Sequence, residues 1–319
     1  MKNLPLILLS LILAPWTFAQ SAQPGCTHNN AALHYWNAFA QMKDQPLAEA
    51  QSKQLEAIAE GQEPWNEALF GQLLEQNSGA VETMVRGTTL PFCDWGVDYA
   101  LNAQAPIPQI GRGRALARLN LLTAARLAAQ GNSREATSHL IAGLRFSRDL
   151  SSGMPLIGAA LAKTTIMSDL HMALALNHAG KLTAEDRKRY RAVLRAMPSE
   201  GVDWSQPYHQ EAKVLHGVMK QLQASRDPQK LIESWGMRDL AVTRPLPKAA
   251  DIERMDSTMA EAERLLRPNS SPTQAELARF DQRLKQLPPL VQALVPSLQA
   301  TLTRRQELRA LRNEALSQL

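Results

Sequence analysis

Leu116-Ala117-Arg118-Leu119-Asn120-Leu121-Leu122-Thr123-Ala124-Ala125-Arg126-Leu127-Ala128-Ala129-Gln130-Gly131-Asn132-Ser133-Arg134-Glu135-Ala136-Thr137-Ser138-His139-Leu140-Ile141-Ala142-Gly143-Leu144 is the stretch that decides the fold. Leu116, Leu119, Leu122 or Thr123, and Leu127 recur at helical spacing along one face, and Ala136, Leu140, Ile141 and Leu144 do so again after Gly131-Asn132. Two helices joined by so short a turn must fold back as an antiparallel hairpin. Ala124, Gly131, Ala136 and Gly143 are small where such helices approach closely, as in a tetratricopeptide-type pair. The pattern does not recur at the ~34-residue period of those repeats, so a true repeat array is not expected.

Working outward, the same grammar continues in both directions. Asn29 and Asn30 cap a predicted helix through about Lys43, with Ala32, Tyr35, Trp36 and Phe39 on its apolar side. Helices are predicted near 47–60, 64–77 and 79–87, the last ended by Gly87 and the Leu90-Pro91 step. Residues 88–113 read as a long irregular connection, a kind of segment that often carries function. Downstream, Pro155 opens a helix to 178 that carries only Lys163 and Asp169 as charges, which marks a central, buried element. Thr183 with Asp186, and Thr273 with Glu276, have capping-box spacing. Further helices are expected at 205–224, 228–236, 249–267, 273–286 and from about 290 to 316, and the Arg304, Arg305, Arg309, Arg312 run reads as a solvated face of the last. Val and Ile together number only 20 of 319 residues, and no Asn-Gly or Asp-Gly hairpin signal occurs. The fold class is therefore all-α, an irregular bundle or solenoid-like array of antiparallel helical hairpins. The expected organisation is an N-terminal helical domain over 20–200 and a C-terminal helical region over 201–319, which could belong to the same domain.

The start of the chain sets the compartment. Lys2 precedes an apolar stretch from Leu4 to Ala14, and Thr17-Phe18-Ala19 places small residues for cleavage after Ala19. The stretch is shorter than the roughly 20 residues a membrane span requires. Residues 1–19 thus read as a signal peptide, and the mature protein as periplasmic or secreted with no membrane span. Cys26 and Cys93 are the only cysteines, and an oxidising compartment would pair them; two separate thiols, one of them buried, is the alternative.

Charge is distributed unevenly. Residues 20–105 carry ten acids against Lys43, Lys53 and Arg86, a net of −7, whereas 106–163 carry eight bases against Glu135 and Asp149, a net of +6. Two segments that neutralise each other by packing explain this most simply; an anion-binding face is the sharper alternative. The total of +5 is too small to argue for nucleic acid.

Chemistry is sparse. His171/His178 and His209/His216 are spaced by seven residues, about 10 Å along a helix, too far to share one metal. No zinc, nucleophile-elbow or phosphate-loop pattern is present, so no metal and no cofactor are expected. Candidate binding residues are Trp36, Asp94 and Trp95, which a closed loop would bring together around a cleft or a small aromatic core. Arg112 and Arg114 join them as an anion site ahead of a helix start. A carboxylate pair such as Asp94 and Glu211 would suit acid–base work if the fold united them.

Asn30-Ala31-Ala32-Leu33-His34-Tyr35-Trp36-Asn37-Ala38-Phe39 and Pro91-Phe92-Cys93-Asp94-Trp95-Gly96 resemble segments of a loosely defined group of uncharacterised exported helical bacterial proteins. In that group the CDWG element is followed, after a Pro-containing loop, by an Arg/Leu/Ala hairpin like the one at 114–150. The resemblance spans roughly 29–200 and implies a helical fold and export, with no assigned activity. The reading that follows is an interaction or scaffold protein of the envelope that holds a protein or peptide partner. The alternative is a hydrolase with its site near the 88–113 loop.

Overall fold

The computed structural model describes residues 29–43, 48–236 and 246–319. The expected signal peptide and Cys26 lie outside them. Thirteen α-helices and no β-strand occur among the described residues. In order they are α1 (Ala31–Gln41), α2 (Glu49–Ala59), α3 (Glu67–Gly87), α4 (Gln109–Ala129), α5 (Ser133–Leu150), α6 (Leu156–His178), α7 (Ala184–Ala196), α8 (Ser205–Ala224), α9 (Pro228–Ser234), α10 (Ala249–Leu265), α11 (Gln274–Lys285), α12 (Pro289–Leu294) and α13 (Leu298–Gln318). A short 3-10 segment, Tyr99–Gln104, interrupts the connection between α3 and α4.

The hairpin forms as its sequence requires. Gly131 takes φ +86, a left-handed turn that an L side chain resists, and α4 and α5 pack along their lengths. The stretch of lowest charge becomes the centre: α6 packs against α2, α4, α5, α8 and α13. Its helix start has no side-chain cap at Pro155; the Glu211 carboxylate from α8 fills that place, accepting the Leu156 amide at 3.2 Å. Apolar side chains from Ala31 to Leu319 form one connected core. Each Leu or Ile fully buried there contributes about 1.5–3 kcal/mol, so burial along these helix faces is the main stabilising force.

The charge asymmetry resolves by packing. Arg118 on α4 meets Glu56 on α2 at 3.0 Å, and Arg126 on α4 meets Glu67 and Glu75 on α3 at 2.5 and 3.3 Å. These pairs are largely exposed, so each contributes at most about 1 kcal/mol and sets register more than stability.

Several sequence expectations require correction. The predicted helices 64–77 and 79–87 are one helix, α3, which runs through Ser78 and Gly79 without a break. The irregular connection ends at residue 108 instead of 113: Gly111 and Gly113 lie inside α4, and a Cβ on Gly113 would strike Leu150 at 2.5 Å. Here glycine serves close helix packing. The terminal helix predicted from 290 is divided by Pro296, which cannot supply the amide a continuous helix needs, and Ser297 caps α13 by accepting the Ala300 amide.

The arginine run on α13 is not a solvated face. Arg305 is only 4% exposed; it pairs with Glu200 at 3.0 Å and donates to Ser270 Oγ and to the Ser270 and Arg267 carbonyls. Arg312 is also buried and donates to the Leu194 and Met197 carbonyls at the end of α7. Two guanidiniums therefore fix α13 to the α7–α8 and α10–α11 connections. Within the C-terminal third, α8 and α10 run antiparallel and meet through His209–Glu263 at 3.1 Å and His216–Asp256 at 2.8 Å. The seven-residue histidine spacing is thus matched by a seven-residue carboxylate spacing on the facing helix.

Candidate functional site

The Pro91–Gly96 loop begins on α1. Asn30 accepts the Ala32 amide to start that helix, and the same side chain reaches across to the loop. Its Oδ1 accepts the Asp94 amide at 2.9 Å, and its Nδ2 donates to the Asp94 carbonyl at 2.8 Å. The Ala31 amide donates to the Phe92 carbonyl at 2.8 Å, which makes a one-residue parallel bridge between Asn30 and Phe92. Asp94 turns its own carboxylate back onto the Gly96 amide, where φ is +66. The loop is therefore pinned through its backbone, and Asp94 acts as a turn residue.

The second anchor is Asp149, near the end of α5. Trp95 Nε1 donates to the Asp149 carbonyl at 2.8 Å, and the Cys93 thiol lies 3.8 Å from that same oxygen. The Asp149 carboxylate, 3% exposed, accepts the Tyr35 hydroxyl at 2.6 Å and the Arg148 guanidinium at 2.8 and 3.0 Å. Ser152 donates to the Cys93 carbonyl at 2.8 Å. One acidic residue thus joins α1, the loop and α5.

Electrostatics follow from burial. Desolvation pushes the Asp149 carboxyl above its usual range, opposed by Arg148 and by the Tyr35 hydrogen bond. Burial likewise drives the Tyr35 hydroxyl and the Cys93 thiol far up, and the neighbouring Asp149 adds to both. Cys93 is consequently a neutral, inert thiol. Among the described residues Cys93 is free and buried, its sulfur packed inside the anchor, and its expected disulfide partner Cys26 lies outside them. Tyr99 is pushed up to about 12 by burial and then by Asp94 and Glu211. Those two carboxylates bear on one tyrosine, but each is committed to a backbone amide, Gly96 for Asp94 and Leu156 for Glu211.

Trp36, Asp94 and Trp95 come together as expected, and the two rings fill the space between them. Trp95 stacks on Phe39 at 6.1 Å and meets Trp36 edge-on at 5.6 Å, while Tyr35 packs against Trp95 and Phe146. They form an aromatic core under the loop. Arg112 and Arg114 do not precede a helix: they lie within the first two turns of α4, where the Arg112 amide already bonds to the Pro108 carbonyl. Arg114 lines a separate cleft of about 330 Å³ with Arg118, Glu56, Glu60 and Ser168.

No protein-family model, curated protein or solved structure matches this chain. The geometry alone must indicate what the site can do. On the outer side of the anchor, Phe92, Arg148, Asp149, Ser152, Asp203 and Gln206 help line an open cleft of about 400 Å³. Phe92 is 49% exposed at its rim, an apolar ring held out by a loop whose backbone is fixed beneath it. Such a cleft, lined by apolar and polar groups together, has room for a side chain or a short peptide segment. The sequence did not point to Asp149 or Arg148. One signal was available: Asp149 follows Ala142 and Phe146 at core spacing, an acid in a register position reserved for apolar residues.

Proposed function

We propose that this protein is an exported helical binding protein of the bacterial envelope, which holds an extended segment of a partner protein in the cleft beside the 91–96 loop. The observation that carries this reading is the pinned loop presenting Phe92 over Arg148 and Gln206, a fixed apolar anchor beside polar groups able to bond to a peptide backbone. The signal-peptide pattern at 1–19 supports the envelope location. The polar groups of the loop favour binding over hydrolysis, because Asp94, Trp95 and Ser152 spend their hydrogen bonds on holding the fold.

The test uses a photo-crosslinking residue placed at Phe92 in the full-length exported protein, with a second at Lys230 on α9 as control. The reading expects one discrete adduct at position 92, diminished by R148A, and none at 230. Equal labelling at both positions, or none at either, would overturn it. A hydrolytic activity towards envelope material that is lost in R148A with unchanged thermal stability would establish the hydrolase alternative instead.

A further inference from the structure

A second pocket, unrelated to the 91–96 loop, lies between α13 and the connection from α10 to α11. Its volume is about 230 Å³. Leu277 and Leu302 form part of its floor, and Arg305, Arg309, Gln299 and Gln306 line one wall from a single face of α13. The clefts at Arg114 and Arg148 each contain carboxylates that offset their arginines; no acid lines this one. Glu200 lies behind the wall, and a single oxygen, Oε1, serves Arg305 at 3.0 Å and Arg309 at 4.0 Å. Two guanidiniums therefore share one carboxylate, which leaves a net positive wall.

The two arginines differ in how they are held. Arg305 is immobilised by Glu200 and by three oxygens of Ser270 and Arg267. Arg309 is about half exposed and makes no hydrogen bond among the described residues, so its guanidinium can turn into the pocket. A guanidinium with open donors prefers a planar or tetrahedral oxyanion, which it can grip with two parallel N–H groups. Gln274, Gln299 and Gln306 also have side-chain amides without hydrogen bonds among the described residues, and each offers donor and acceptor atoms suited to hydroxyl groups.

We propose that this pocket binds a small anionic polyol, a sugar-sized molecule carrying a carboxylate or a phosphate, with Arg309 closing on the anion and the glutamine amides on its hydroxyls. The experiment titrates glucuronate, glucose 6-phosphate and neutral glucose into the full mature chain by calorimetry, in wild type, R309Q and the remote surface variant K188Q. The two anions separate a carboxylate ligand from a phosphate ligand. The expected result is binding of at least one anion, weakened about tenfold or more in R309Q, unchanged in K188Q, and absent or about tenfold weaker for glucose. R309Q alters an exposed side chain and should melt as wild type, which separates lost binding from lost folding. Glucose binding as tightly as the anions, R309Q binding as wild type, or no binding of either anion at about 10 mM would overturn the proposal.

Discussion

Replacing Asp169 with asparagine should change how the stability of this protein depends on pH. Asp169 lies in the middle of α6, 2% exposed, and its Oδ1 has no hydrogen-bond partner. It faces α5 at Gly143, where an added Cβ would strike the carboxylate, and Tyr190 on α7 donates to its backbone carbonyl at 3.3 Å. Burial raises its pKa well above the ordinary 3.8, so the folded protein holds the proton more tightly than the unfolded chain does. A carboxyl raised on folding costs nothing below its unfolded pKa, because both states are then protonated. Above it, the unfolded chain ionises freely and the folded chain does not, so stability falls by about 1.4 kcal/mol per pH unit until the folded pKa is reached. The D169N variant lacks this term. Any constant offset from its extra amide donor is the same at every pH. The assay is urea unfolding of both proteins at half-unit steps from pH 4 to 7.5. The D169N stability relative to wild type should climb as pH rises above about 4, at no more than about 1.4 kcal/mol per unit, and Tm should follow at roughly 2–4 °C per kcal/mol. Parallel curves across that range would refute the buried-acid reasoning.

Other perturbations test the remaining contacts. Tyr35→Phe removes the hydroxyl that faces the buried Asp149 oxygen and should destabilise by about 1–3 kcal/mol in denaturant titration. Gly143→Ala should cost about 1–3 kcal/mol by crowding Asp169, and less when combined with D169A, as a double-mutant cycle would read. Arg312→Ala strips the donors from the end of α7 and should cost about 1–3 kcal/mol, whereas a change at exposed Arg304 should stay within about 0.5 kcal/mol. Cys93 should resist alkylation until the protein unfolds.

Most helix boundaries were legible because local chemistry sets them. Thr183 with Asp186 and Thr273 with Glu276 form the capping boxes that their spacing announced, and Gly131 makes the turn that defines the hairpin. What misled was glycine and arginine serving tertiary contacts. Gly111 and Gly113 read as part of the irregular connection, yet each lies within α4, and Gly113 allows close approach to Leu150. Arg305 and Arg312 read as solvent-facing because periodicity cannot show a distant carbonyl or Glu200 waiting across the core. At the candidate site the aromatic cluster and Asp94 were legible from local sequence. Asp149 was not, since its partners Tyr35 and Trp95 lie 114 and 54 residues away.

The account depends most on the 91–96 loop being fixed to α5 as part of the core. Hydrogen exchange of the Trp95 indole, followed by NMR, reads that bond directly. Exchange as slow as that of the buried amides of α5 is the expected result, because the indole N–H is bonded to the buried Asp149 carbonyl. An indole proton in wild type that exchanges at the rate of free tryptophan would show the loop to be unattached and contradict the account.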